Sequence, residues 1–221
     1  MVSARAQFLG AGHYQPIAEL LVNLLHDSHL NGDLVMEVGA GTAYYLSRVV
    51  NSLPGCLGLA IDLSKYAARR AARAHERIDS IVADVWDRLP VADEASALTL
   101  VVFAPRPPQE LHRTLRRNGR LMVVTPQPHH LIELRELLGL LKVDPSKEAR
   151  LARGLGSCLR LVATEPLEWT MHLKSADVAA LAAMGPSARH LDPARLSAGI
   201  ARLPNSIAVT AAVTVREYRR L

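Results

Sequence analysis

The chain has 221 residues, 49% of them hydrophobic types, enough to bury one sizeable core without help from disulfides or metal. Its two cysteines, Cys56 and Cys158, match no CxxC or Cys/His spacing, which argues against a disulfide framework and a structural zinc site and predicts no bound metal. A net charge of +5 admits polyanionic partners, whereas the lack of ~18–20 uninterrupted apolar residues and of a leader pattern predicts a soluble, cytoplasmic protein with no membrane partner.

In chain order, Leu20, Leu21, Leu24 and Leu25 recur at helical spacing and predict a helix over Ala18 to His26, broken by Asn31-Gly32-Asp33. Leu34 to Val38 reads as a buried strand, followed by Gly39 and Gly41 and a helix over Ala43 to Leu53. Cys56 to Ile61 forms a second strand, and Ser64 caps a helix running to about Arg77. Third and fourth strands follow at Ile78 to Ala83 and Leu98 to Phe103. Pro107 to Arg117 is a helix, and the Asn118-Gly119 turn opens a fifth strand through Thr125. Beyond these the pattern predicts a helix over His130 to Lys142, a charged stretch through Gly156 and a strand from Leu159 to Leu173 interrupted at Pro166. A helix over Ala176 to Met184, turn-rich sequence around Pro186, Pro193 and Pro204, and a strand from Ile207 to Val215 complete the chain. Strands alternating with helices predict a mostly parallel, doubly wound α/β sheet of Rossmann-like type. Residues 1–32 are expected to form a helical cap segment and 33–221 the main domain.

Glu37-Val38-Gly39-Ala40-Gly41 places two glycines directly after the first strand, where a backbone without side chains can approach a nucleotide-like ligand. Three acids at successive strand ends sharpen this expectation. Glu37 precedes the glycines and suits an ammonium group, whereas a pyrophosphate has no use for such an anion. Asp62 ends the second strand, where a carboxylate accepts ribose hydroxyls, and Asp84 follows the third, placed either to accept from an adenine amine or to serve as a helix cap or surface acid. Together they favour S-adenosylmethionine as cofactor, and a class I methyltransferase over a dehydrogenase.

Specific segments resemble the bacterial large-subunit ribosomal RNA guanine-N1 methyltransferases of the RlmA group, which include tylosin-resistance enzymes. They are Phe8-Leu9-Gly10-Ala11-Gly12-His13-Tyr14-Gln15-Pro16-Ile17, Glu37 through Tyr44-Tyr45-Leu46, Phe103-Ala104-Pro105, and Thr125-Pro126-Gln127-Pro128-His129-His130-Leu131-Ile132-Glu133-Leu134. The resemblance implies that Tyr14, Tyr45, Leu46 and His130 line the cofactor pocket with Glu37, Gly39, Gly41, Asp62 and Asp84. It also implies ribosomal RNA as partner and lowered macrolide binding as an outcome of the modification. The family carries a Cys-rich zinc module ahead of the Phe8 motif, and its cysteines have no counterpart here; the expectation is a truncated chain or a divergent member.

Guanine N1 carries a proton near neutral pH that must leave on methylation, and no residue is assigned as the base. Phe103-Ala104-Pro105 offers no side-chain amide acceptor at the fourth strand end, which disfavours exocyclic amine methylation. Two arginine clusters, Arg69, Arg70, Arg73 and Arg77, and Arg113, Arg116, Arg117 and Arg120, suit RNA phosphates or simply solvated helix faces. Alternatives remain a small-molecule methyltransferase of secondary metabolism, a non-catalytic protein retaining the pocket, and an NAD-dependent oxidoreductase.

Overall fold

A computed structural model describes residues 1–138, 145–185 and 193–220. The elements are α1 (Val2–Gly10), α2 (Gln15–Asn23), β1 (Leu34–Val38), α3 (Tyr44–Ser52), β2 (Leu57–Asp62), α4 (Lys65–Ala71), β3 (Ile78–Val82) and β4 (Ser96–Val102). They continue with α5 (Pro108–Thr114), β5 (Leu115–Pro126), α6 (Ile132–Leu138), α7 (Pro145–Gly156), β6 (Arg160–Leu173), α8 (Ser175–Met184), α9 (Pro193–Ala201) and β7 (Ile207–Arg219).

The strands hydrogen-bond in the order β3-β2-β1-β4-β5-β7-β6. β1 pairs with β2 and β4, β2 with β3, and β4 with β5, all in parallel. Chain order reverses direction between β1 and β4, and in open α/β sheets that switch point opens a crevice at the carboxyl ends of the strands. β7 runs the other way: Asn118 N–H donates to Arg220 O and Gln127 N–H to Ala212 O, so numbers rise along β5 while they fall along β7. The sheet is therefore the predicted Rossmann-like parallel core, extended by an antiparallel edge.

The reason these strands sit centrally is visible in their composition. All seven residues of β4 are buried, as are four of five in β1, because parallel strands lose both faces to covering helices. Met36, Val38, Ile61, Val101, Leu121 and Val123 form the centre of one apolar cluster. Each large apolar side chain buried there contributes about 1.5–3 kcal/mol.

The chain divides into two compact units. Pro16–Thr125, Ser146–Glu165 and Thr214–Leu221 make one, which holds the apolar cluster and the parallel strands. Met1–Gln15, Pro126–Pro145 and Pro166–Val213 make the other, in which α1 packs on α8, and α9 on α6 and α8.

Several expectations acquire a physical form. Ser64 caps α4 as predicted, its Oγ accepting from Ala67 N–H at 3.3 Å, but the helix ends at Ala71 rather than near Arg77. The Asn118-Gly119 turn interrupts β5: Ser96 lies opposite Leu115 and Leu98 opposite Arg120, so residues 116–119 bulge from the ladder with Asn118 at φ 59°. The charged stretch before Gly156 is corrected to helix α7, whose Leu155 is fully buried in the main core. Pro166 does not break β6, which is an edge strand in the sheet order, where a missing N–H is tolerated. Of the helix expected over 130–142, residues 132–138 are helical and 139–142 lie outside the described residues. Pro193, expected in turn-rich sequence, instead begins α9, while Pro186 lies outside the described residues.

Candidate functional site

The glycine turn is built by close backbone approach. Gly39 N–H and Ala40 N–H both donate to Ile61 O, at 2.8 and 3.0 Å, which folds the loop over the end of β2. Gly39 has φ +69°, and a Cβ there would stand 2.4 Å from Ala104 Cβ, just beyond β4. No side chain fits at that position. Gly41 and Ala43 also take positive φ, 58° and 57°, so the chain turns through three left-handed residues before α3 starts.

Two of the predicted acids hold this loop. Ala43, the residue before α3, has no side-chain oxygen to cap the helix; Glu37 supplies one from β1, its Oε2 accepting from Leu46 N–H at 3.1 Å. Glu37 is 1% exposed, and the helix amino terminus favours its negative charge. Asp62 divides its carboxylate between two backbone donors: Oδ2 accepts from Gly41 N–H and Oδ1 from Ser64 N–H, both at 2.8 Å. Each oxygen of an ionised carboxylate keeps further lone pairs. Asp84 closes a local turn by accepting from Trp86 N–H at 3.0 Å. Glu37, Gly39, Gly41, Leu46 and Asp62 are thus one hydrogen-bonded arrangement, with Tyr45 buried beside Leu46 on α3 and set edge-on to Tyr44 at 5.1 Å.

The sequence reading missed the apolar neighbours of these acids. Leu63, directly after Asp62, is 67% exposed, and Trp86, two residues beyond Asp84, is 63% exposed. Exposed large apolar side chains beside strand-end carboxylates suit a heteroaromatic ring that needs both a hydrogen-bond acceptor and a dry face. Their exposure is a structural signal that no spacing pattern carries.

Tyr14 and His130 belong to the other unit, where they meet each other. Tyr14 Oη lies 3.1 Å from His130 Nε2, and Ala212 N–H donates to His130 Nδ1 at 3.1 Å. Phe8 and Trp169 stand edge-on to the Tyr14 ring, at 5.1 and 6.0 Å. Trp169 is itself fixed by donating to His13 O at 3.0 Å. Burial, reinforced by the nearby Arg135 charge, lowers the His130 pKa to about 4, so the ring is neutral near pH 7. Burial raises that of Tyr14, keeping the phenol protonated.

The arginines of the two clusters fall into two environments. Arg113 clasps Glu110 and Asp93 and bonds the Leu89 and Val91 carbonyls. Arg116 pairs with Asp33 at 2.5 Å, and Arg120 pairs with the nearly buried Glu217 at 2.8 Å. Arg77 donates to the carbonyls of Val50, Leu53 and Cys56, satisfying the carboxyl end of α3. These four are structural staples. Arg69, Arg70 and Arg73 of the first cluster and Arg117 of the second are exposed. No helix among the described residues is long and apolar enough to cross a membrane.

Comparison with known proteins adds chemistry to this geometry. No protein-family model matches the chain. It is 47% identical over its whole length to a 23S rRNA (guanine(748)-N(1))-methyltransferase from Streptomyces fradiae, spanning 80% of that protein. It is 43% identical, over 99% of its length and 79% of the relative, to a Micromonospora griseorubida protein carrying the name of a guanine-N1 methyltransferase of 23S rRNA. Among solved structures, geranyl diphosphate C-methyltransferase from Streptomyces coelicolor, crystallised with S-adenosyl-L-homocysteine, superposes with a TM-score of 0.56 at 15% identity. That match covers 94% of this chain and 80% of the other, and at such identity it shows a shared fold alone.

Proposed function

Because the chain belongs to the 23S rRNA guanine-N1 methyltransferases, we propose that it transfers the methyl group of S-adenosylmethionine to N1 of a guanine in large-subunit ribosomal RNA. The observation that carries this reading is the 47% identity to the Streptomyces fradiae enzyme, sustained over the full length of the chain.

The glycine loop has the form such a cofactor requires: a bend too tight for a Cβ at Gly39, held from below by two carboxylates. Asp62 would accept the ribose hydroxyls with its remaining lone pairs. Asp84 would accept from the adenine amine, with Leu63 and Trp86 giving the ring an apolar surround. Glu37 keeps α3 and the loop in register, and its charge favours a bound ammonium. S-adenosylmethionine supplies a methyl on a sulfonium leaving group, ready for in-line displacement, so the protein's task is alignment and exclusion of water.

Phe103 is the platform proposed for the nucleobase. It directly follows β4 at φ 54°, a left-handed conformation unfavourable for a bulky residue, with its N–H held by Val124 O at 3.1 Å. A half-buried aromatic in that posture can stack on an unstacked base presented at the strand ends. The absence of a side-chain amide acceptor at Phe103-Ala104-Pro105 suits a ring nitrogen better than an exocyclic amine. Methylation of a guanine near the macrolide site would weaken drug binding, in keeping with the resemblance to tylosin-resistance enzymes.

The test is reverse-transcription mapping of unmodified 23S rRNA after incubation with protein and cofactor. N1 methylation blocks Watson–Crick pairing, so a new arrest one nucleotide before a guanine is expected. No arrest on intact RNA or on isolated hairpins would favour a small-molecule substrate instead.

A further inference from the structure

Helix α4 buries only alanines, Ala67, Ala68 and Ala71, and turns every long side chain outward. Lys65, Arg69, Arg70 and Arg73 are exposed, and no ion pair among the described residues engages any of them. The contrast with Arg77, Arg113, Arg116 and Arg120, all tied to internal partners, is physical: there the guanidinium groups hold the fold together, and here they pair with no acid among the described residues. Between them stands Tyr66, 62% exposed, with Lys65 Nζ 5.4 Å from its ring centroid. The helix itself carries no carboxylate.

Four unopposed cations with an exposed aromatic at one-turn spacing is the composition of a surface that tracks a nucleic-acid backbone while a base stacks on the ring. From Lys65 to Arg70 the face extends about 7.5 Å along the helix axis, and Arg73 continues it in the turn after Ala71, room for consecutive phosphates. α4 starts just beyond Asp62, at the carboxyl edge of the sheet, so such a strand would run past the proposed cofactor site rather than behind it.

We propose that the outward face of α4 and the turn that follows it, formed by Lys65, Arg69, Arg70 and Arg73 with the Tyr66 ring, docks the sugar–phosphate backbone of the substrate RNA away from the target guanine. The proposal rests on the reading of ribosomal RNA as substrate. Charge complementarity carries it: a polyanion of regular spacing meets cations that no acid among the described residues neutralises.

The experiment is a salt titration of binding between the full chain and an unmodified 23S rRNA fragment, followed by fluorescence anisotropy. Each phosphate contact adds roughly 0.7–0.9 to the slope of log affinity against log salt. A triple variant, Arg69→Ala, Arg70→Ala and Arg73→Ala, is expected to lose about two from that slope and roughly ten- to hundredfold in affinity at moderate salt. The matched triple lysine variant should keep the slope, since it keeps the charge, and Tyr66→Ala should weaken binding with the slope intact. Calorimetric affinity for S-adenosylhomocysteine should be the same in all variants, which checks that each is folded. If wild type binds RNA with a steep slope and the alanine variant matches it, the α4 proposal is overturned while the substrate reading stands, and the face is bare or turned to a protein. If wild type neither binds nor methylates the RNA, both readings fall together.

Discussion

The Tyr14 hydroxyl accepts a hydrogen bond from His130 Nε2 across 3.1 Å, a direction set on the far side of the imidazole, where Ala212 N–H donates to Nδ1. A neutral imidazole carries one proton, and a nitrogen that accepts from a backbone amide cannot hold it. The proton is therefore on Nε2. Long-range proton–nitrogen spectra should show His130 as the Nε2–H tautomer near pH 7, and as a different tautomer if this geometry is wrong. Tyr14→Phe removes the acceptor from a buried donor, and denaturant titration should register a loss of about 1–3 kcal/mol.

The same histidine makes stability depend on pH. Its folded-state pKa of about 4 lies below the ordinary value of 6.5, so between these values the unfolded chain binds more protons than the folded one. The contribution from this group is full above pH 6.5 and is lost as pH falls toward 4, to a limit of about 3 kcal/mol. Melting temperatures measured from pH 7 to 4 should fall more steeply for wild type than for His130→Gln, which has nothing to titrate there. Equal slopes would assign the acid sensitivity to other groups.

Gly39 tests the shape of the loop. In Gly39→Ala the new methyl would meet Ala104 Cβ at 2.4 Å on a backbone that already disfavours an L side chain. The expected result is loss of measurable S-adenosylhomocysteine binding by calorimetry. Adding Ala104→Gly removes the clashing carbon but leaves the left-handed strain of about 1–2 kcal/mol, so affinity should return in part. No recovery in the double variant would mean that the contact with Ala104 is not what excludes a side chain.

Asp62→Asn tests the clasp between the loop and β2. The asparagine carbonyl can replace one carboxylate oxygen, but its amide nitrogen would face either the Gly41 or the Ser64 N–H as a second donor. Cofactor affinity should fall about tenfold or more, and thermal stability with it, by about 1–3 kcal/mol. Unchanged affinity on a folded variant would remove Asp62 from the cofactor site.

What the sequence disclosed follows from locality. Leu34–Val38 and Leu98–Val102 announce themselves as buried strands because a parallel strand must be apolar on both faces, and Ser64 marks a helix start because its cap bond spans three residues. Asn118-Gly119 was legible for the same reason. Long-range partnership was not. The Arg120 pair with Glu217 crosses 97 residues and the Tyr14 contact with His130 crosses 116, so composition alone left those arginines looking like a solvated or RNA-facing cluster. α7 hid because its polar face outweighs Leu155, the leucine that reaches the core, whereas β6 was legible as a strand and only the break expected at Pro166 failed, because a proline at a sheet edge breaks nothing. Among the site residues, Glu37 and Asp62 were found from position, but their bonds to Leu46 and Gly41 needed the folded chain.

Mass spectrometry of nucleosides released from 23S rRNA, after incubation with the protein and deuterated-methyl S-adenosylmethionine, tests the account most directly. It predicts labelled 1-methylguanosine, at about one per RNA molecule if a single guanine is the target. Label recovered instead in 2-methylguanosine, 7-methylguanosine or a methylated adenosine, or no label in RNA from folded, cofactor-binding protein, would contradict it.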